Sequence, residues 1–142
     1  MSQLSKLVTT YEKKHNIPNK LLWSIAKIES GANQFALNIE GRPYNLGSRK
    51  EAMEILKSHL DKGIRNIDIG LMQINFHYHG EKFACISEML DTENNIAYAA
   101  SFLKGLYKKH GSWQEAVRHY HSTKPEYYRK YSRKVLLSWL KA

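Results

Sequence analysis

The 142-residue sequence predicts an all-α fold, or an α fold with a minimal β element. Three observations carry this: apolar residues recur at helical spacing from end to end, strand-like alternation is sparse, and helix-start signals precede the periodic stretches. Leu4, Leu7, Val8 and Tyr11 fall at i, i+3, i+4 and i+7, an opening amphipathic helix. Pro18 sits where a first helical turn tolerates it. Leu22, Ile25, Ala26 and Glu29 then share one face of a second helix, which Gly31 ends. Residues 31–48, with Asn33, Asn38, Gly41, Pro43, Asn45 and Gly47, read as an irregular loop. Ser48 with Glu51 makes a capping-box pattern before a helix that stops near Gly63. Residues 68–75 form a compact apolar stretch broken by Gly70. A long helix follows from about Asp91, with Ile96, Ala99, Ala100, Leu103, Leu106 and Tyr107 on one stripe. Ser112 and Glu115 make a second capping box for a short helix through Tyr120. The last helix begins near Pro125 and turns Tyr128, Tyr131, Val135 and Trp139 inward.

The length suits one domain, residues 1–142, without repeat or linker. The longest apolar run is far below the roughly 20 residues that span a bilayer. Twenty-two Lys and Arg against thirteen Asp and Glu leave a charge of +9, which favours a polyanionic partner. Cys85, the single cysteine, excludes an internal disulfide and a Cys-rich metal site. Residues 1–11 lack the apolar core of a signal peptide, so the chain is cytosolic or a mature domain whose leader has been removed.

Glu29 is the most informative residue. It stands one turn beyond Ile25 and Ala26, so it projects from the buried face of its helix. Burial and the negative end of the helix dipole both favour the protonated carboxyl there. A general acid working near neutral pH needs that form. The plainer alternative is a carboxylate reaching solvent or pairing with Lys27 or Arg42.

An ordered set of motifs accompanies Glu29. Ile28-Glu29-Ser30-Gly31 comes first, and Gly70-Leu71-Met72-Gln73-Ile74-Asn75 follows some forty residues on. Asn95-Ile96-Ala97-Tyr98-Ala99-Ala100 then leads into Ala116-Val117-Arg118-His119-Tyr120-His121-Ser122. Together, over about residues 15–135, these resemble the lytic transglycosylases of the soluble-lytic type, which are lysozyme-like and mostly helical. The insertion between Glu29 and Gly70, with Asp68-Ile69 before Gly70, looks most like the small members that accompany secretion systems, pili and invasion apparatus.

The resemblance implies that Glu29 is the sole acid/base on the link between N-acetylmuramic acid and N-acetylglucosamine, leaving a 1,6-anhydro sugar. It implies that Ser30 orients the acid, that Gln73 lines the sugar groove, and that Tyr120 points its hydroxyl toward the acid. Met72 would pack on the sugar's apolar side or, with Leu71 and Ile74, be plain core. Asn75 and Tyr98 would also bind substrate. The family commonly reads Tyr-Asn at the last motif, where this chain has Tyr120-His121. Asp68 and Glu40 are candidate second carboxylates: either, at roughly 6.5–9.5 Å from Glu29, would suit an inverting hydrolase. A goose-type-lysozyme-like hydrolysis is therefore the alternative activity.

No cofactor follows from this chemistry. His77-Tyr78-His79 and His119-Tyr120-His121 are spaced for one face of a strand, and no metal site is expected from them. Basic runs at Lys108-Lys109 and residues 129–134, with Tyr127, Tyr128 and Tyr131 between them, leave nucleic-acid binding as a rival. A catalytically silent wall-binding or scaffold protein is another. The reading taken forward has peptidoglycan glycan strands as partner, with components of a secretion or pilus apparatus beside them. It excludes nucleic acid, and it expects a monomer, no membrane span, and a periplasmic or secreted site reached through a removed export signal.

Overall fold

A computed structural model describes residues 2–121 and 125–142, with only the backbone described for 125–129. Helix dominates, with a small four-stranded sheet, as the sequence predicts. The chain divides into two compact units: Met1–Ile28 with Ala97–Ala142, and Glu29–Ile96.

The first unit holds α1 (Gln3–Lys14), most of α2 (Leu21–Ser30), most of α6 (Thr92–His110), α7 (Trp113–His121) and α8 (Pro125–Leu140). Ser2 caps α1 by accepting from Ser5 N–H at 3.1 Å. The Ser112 hydroxyl does the same for Glu115 N–H at the start of α7, completing the predicted cap. Val8, Leu21, Leu22, Ile25, Ala26, Ala99, Ala100, Leu103, Val117 and Val135 are buried, the positions their helical spacing marks. Trp139 donates its indole N–H to Asn19 O at 2.9 Å. Tyr131, expected inside, is 38% exposed instead: its ring stacks on His121 at 4.8 Å, and the core position of α8 falls to Val135. Tyr127 and Tyr128 lie outside the described side chains.

Pro18 is not in the first turn of α2. It lies in a tight turn before the helix, with Lys20 in the left-handed region at φ 71° and Leu21 N–H on Pro18 O. The cap comes from another helix. Glu12 of α1, 1% exposed, accepts from Lys20 N–H (3.0 Å) and Trp23 N–H (3.2 Å), two of the donors a helix start leaves open. Burial pushes the Glu12 carboxyl above the usual glutamate range, against the lowering effect of backbone N–H groups at Lys20, Trp23 and Leu22.

Glu12→Ala should destabilise the protein by about 1–3 kcal/mol, the cost of buried donors left unsatisfied. The sign with pH follows from the raised value. Glu12's titration favours the fold fully below its unfolded value, and that contribution is lost as pH rises through the folded one. Thermal unfolding from pH 4 to 7 should therefore show wild type losing ground to Glu12→Gln as pH rises. The opposite trend would contradict it.

The second unit holds β1 (Leu37–Ile39), β2 (Arg42–Tyr44), α3 (Arg49–Asp61), β3 (Ile67–Ile69), β4 (Ile74–Asn75), α4 (Phe76–His79), a 3-10 turn and α5 (Ile86–Leu90). The Ser48–Glu51 cap forms at 3.2 Å, and Gly63 at φ 82° follows α3. The antiparallel sheet has the order β2-β1-β3-β4. Part of the stretch expected as irregular loop is thus a hairpin. Its two central residues, Glu40 and Gly41, have φ 50° and 89°, as a two-residue turn of this hand requires. Three-residue strands are too short for alternation to register, and β1 is completed by pairing with β3, distant in sequence. Leu37, Ile39, Ile67, Ile69 and Ile74 are buried on one face. Asn38, Asp68 and Asn75 pair across the strands on the other.

Candidate active site

Glu29 is the penultimate residue of α2, one turn after the fully buried Ile25 and Ala26. It is half-buried, and its Oε1 is shielded from solvent. The periodicity that placed a carboxylate on an apolar face therefore holds.

Ser30 is buried, and its Oγ donates to Leu71 O at 2.7 Å. A hydroxyl carries one hydrogen, so Ser30 meets any further polar group as an acceptor.

Leu71 belongs to the turn 70–73, which joins β3 to β4. Gly70 has φ 83°, and Gln73 has φ 52°, an uncommon value for a residue with a side chain. The turn is held through Ala36 O, which accepts from Gly70 N–H (2.8 Å) and Gln73 Nε2 (3.1 Å). Gln73 Nε2 also donates to Gly70 O at 2.9 Å. Both neighbours are carbonyl oxygens, which assigns the amide orientation. Both Gln73 N–H groups are thereby occupied, so its Oε1 is the atom left to face a ligand. Toward a ligand the Gln73 amide is therefore an acceptor. Met72 is fully buried, the place that the core alternative gave it, with no surface for a sugar.

Asn75 is likewise occupied. Its Nδ2 donates to Asp68 Oδ1 and Asn66 Oδ1, each at 3.0 Å, and its Oδ1 caps α4 at Tyr78 N–H. Asp68 is half-buried on the polar face of the sheet, whereas Glu40 lies exposed on the hairpin turn.

Asn95, given no role by the sequence reading, is fully buried. Its Oδ1 accepts from Met72 N–H at 2.9 Å, and its Nδ2 donates to Ile69 O (2.9 Å) and Met89 O (3.0 Å). A signal existed: Asn95 stands four residues before Ala99 and eight before Leu103, a polar residue on the apolar stripe of α6.

Tyr98 and Tyr120 belong to the first unit, where both rings meet Phe102, at 6.4 and 5.6 Å between centroids. Tyr98 is half-buried, and burial raises its hydroxyl above the usual tyrosine range. Tyr120 is nearly buried, with His121 edge-on at 5.8 Å. Ser122 and Thr123 of the last motif lie outside the described residues. The paired histidines fall on helices α4 and α7, not on strands, so neither pair shares a face. His119 stacks on His110 at 3.8 Å, and His121 on Tyr131.

The helix-rich chain with its small sheet fits a mostly-α, lysozyme-like fold. The family model of the transglycosylase SLT domain matches residues 6–134, and the chain belongs to that family, whose members are peptidoglycan lytic transglycosylases. Protein IpgF of Shigella sonnei is 31% identical over 115 residues, 78% of this chain and 60% of that protein. The chain thus spans about 60% of that relative's length. No solved structure matches significantly.

Proposed function

We propose that this chain is a peptidoglycan lytic transglycosylase whose sole acid/base is Glu29. The observation that carries the reading is a half-buried glutamate with one shielded oxygen, next to a serine tied to the Gly70-Leu71-Met72-Gln73 turn. The protonated Glu29 donates to the glycosidic oxygen between N-acetylmuramic acid and N-acetylglucosamine, and the bond from C1 to that oxygen breaks. The muramoyl C6 hydroxyl then closes on C1 and gives its proton to the Glu29 carboxylate, leaving a 1,6-anhydromuramoyl end and a regenerated acid. The substrate supplies the nucleophile, so one carboxyl serves where ordinary glycosidases use two. Ser30 orients the acid, Gln73 accepts a sugar N–H or O–H through Oε1, and Tyr98 and Tyr120 contribute to binding, while Asn75, whose amide is committed within the protein, shapes the sheet.

Residues 1–142 act as one monomeric domain outside the cytoplasm, in the periplasm or as a secreted protein. The motif arrangement around Asp68 and Gly70 supports local wall remodelling around a secretion or pilus machine. No described helix is long and apolar enough to cross a membrane.

Hydrolysis of the goose-lysozyme type is the second reading. Asp68, half-buried and bonded to Asn75, is the carboxylate that favours it over exposed Glu40. Mass spectrometry of soluble products from purified peptidoglycan separates the two. Anhydromuramoyl fragments support transglycosylation; reducing ends, heavier by one water, would overturn it in favour of hydrolysis. Sacculi bound but never cleaved would point to a scaffold.

A further inference from the structure

Asn95 is fully buried and has no place in the chemistry above, yet every strong hydrogen-bonding direction of its amide nitrogen is filled by backbone. The pattern of its bonds is specific. The Met72 N–H that Asn95 Oδ1 accepts and the Leu71 C=O that Ser30 Oγ donates to belong to one peptide unit. That unit is planar and rigid. Asn95 therefore holds the nitrogen edge of a plane whose oxygen edge is held by Ser30, at 2.9 and 2.7 Å. The Asn95 amide cannot rotate to release Met72 without also losing Ile69 O and Met89 O.

We propose that Asn95 is a positioning residue for the Glu29 acid, acting through the Leu71–Met72 peptide on Ser30; this rests on the reading of Glu29 as the acid/base. Acceptance from the peptide N–H and donation to its C=O polarise the same amide in the same sense, which strengthens both bonds. The Ser30 hydrogen is thereby committed to Leu71, which fixes the rotamer of the residue that follows Glu29 in the chain. Without Asn95 the peptide plane is free to tilt, and the Ser30 rotamer tilts with it. Glycan binding does not pass through Asn95, which has no surface. The effect therefore belongs on kcat and not on KM.

The test is a double-mutant cycle with Asn95→Ala and Ser30→Ala on soluble peptidoglycan glycan chains. Asn95→Ala should lower kcat about 10- to 100-fold, the scale of a misplaced catalytic group, with KM changed less than about twofold. In the Ser30→Ala background the same substitution should do almost nothing further, because the two act as a unit. Asn95→Asp keeps the acceptor for Met72 N–H and covers the case in which the alanine variant fails to fold; its effect on kcat should likewise vanish in the Ser30→Ala background. Additive losses in kcat, or a rise in KM with kcat unchanged, would overturn the proposal. A second readout needs no turnover: the carboxyl 13C resonance of Glu29 should move in the same direction in Asn95→Asp and Ser30→Ala. An unmoved Glu29 signal would overturn the positioning role. If wild type cleaved nothing, or Glu29→Gln stayed active, the proposed function would fail while the resonance still judged Asn95.

Discussion

Glu29→Gln should abolish release of anhydromuramoyl fragments, lowering the rate by at least about a thousandfold, while the protein stays folded and still binds sacculi. The magnitude follows from the double duty assigned to this side chain. General acid or base catalysis is worth about 10²–10⁴-fold, and one group serving both transfers falls toward the upper part of that range. Glutamine has almost the same shape but neither donates an acidic proton to a leaving oxygen nor takes one from the C6 hydroxyl. Stability should hold, because Glu29 stands at the C-terminal end of α2, where the helix dipole disfavours negative charge. The variant's Tm should equal or slightly exceed that of wild type. Cleavage by the purified variant at a tenth of the wild-type rate or more would remove Glu29 from the centre of the mechanism. Lost binding to sacculi would instead recast Glu29 as a structural residue.

Much of the helical fold is legible in the sequence alone, and the parts that are not share a cause. The helices α1, α3, α6 and α7 were written in local signals: apolar spacing of three and four, and Ser caps whose acceptors sit three residues from their donors. Glu29 was legible for the same reason, since its oddity lies within one helix. What local pattern could not give was anything completed from far along the chain. The hairpin of β1 and β2 lies in a stretch of turn-forming residues, and its pairing with β3 bridges about thirty positions. Pro18 lies before α2 and not in its first turn because the cap of α2 is supplied by Glu12, on the preceding helix. The bonding of Asn95 is not legible in the sequence because its partners are three backbone groups, those of Ile69, Met72 and Met89, none in its own helix. For Gln73 the motif gives the residue but not where its amide hydrogens go. Only the two carbonyls around Nε2 show that its hydrogens are committed within the protein, which leaves Oε1 as the acceptor for the proposed sugar contact.

Gly70→Ala should be the most damaging small substitution in the turn, costing roughly 2–5 kcal/mol of stability as two independent penalties add. The first is conformational. Gly70 sits at φ 83°, and a left-handed backbone costs a residue with a Cβ about 1–2 kcal/mol. The second is steric. A Cβ there would lie 2.7 Å from Asn95 Nδ2 and 2.9 Å from its Cγ, closer than real Cβ atoms approach anything. The Asn95 amide is held by three backbone groups and is not a loose end that swings aside, so relief means breaking bonds or shifting backbone. Overpacking of this kind costs about 1–3 kcal/mol more. In thermal unfolding the sum corresponds to a fall in Tm of roughly 6–15 °C for a chain of this size. Gly111→Ala serves as the control, with the same φ of 83° but nothing within 4 Å of the added carbon, so it should show the conformational part alone. Equal losses at both positions would mean that Asn95 yields easily to the added carbon. A clearly larger loss at Gly70 would mean that the glycine opening the Gly70-Leu71-Met72-Gln73 motif is required by the asparagine packed against it.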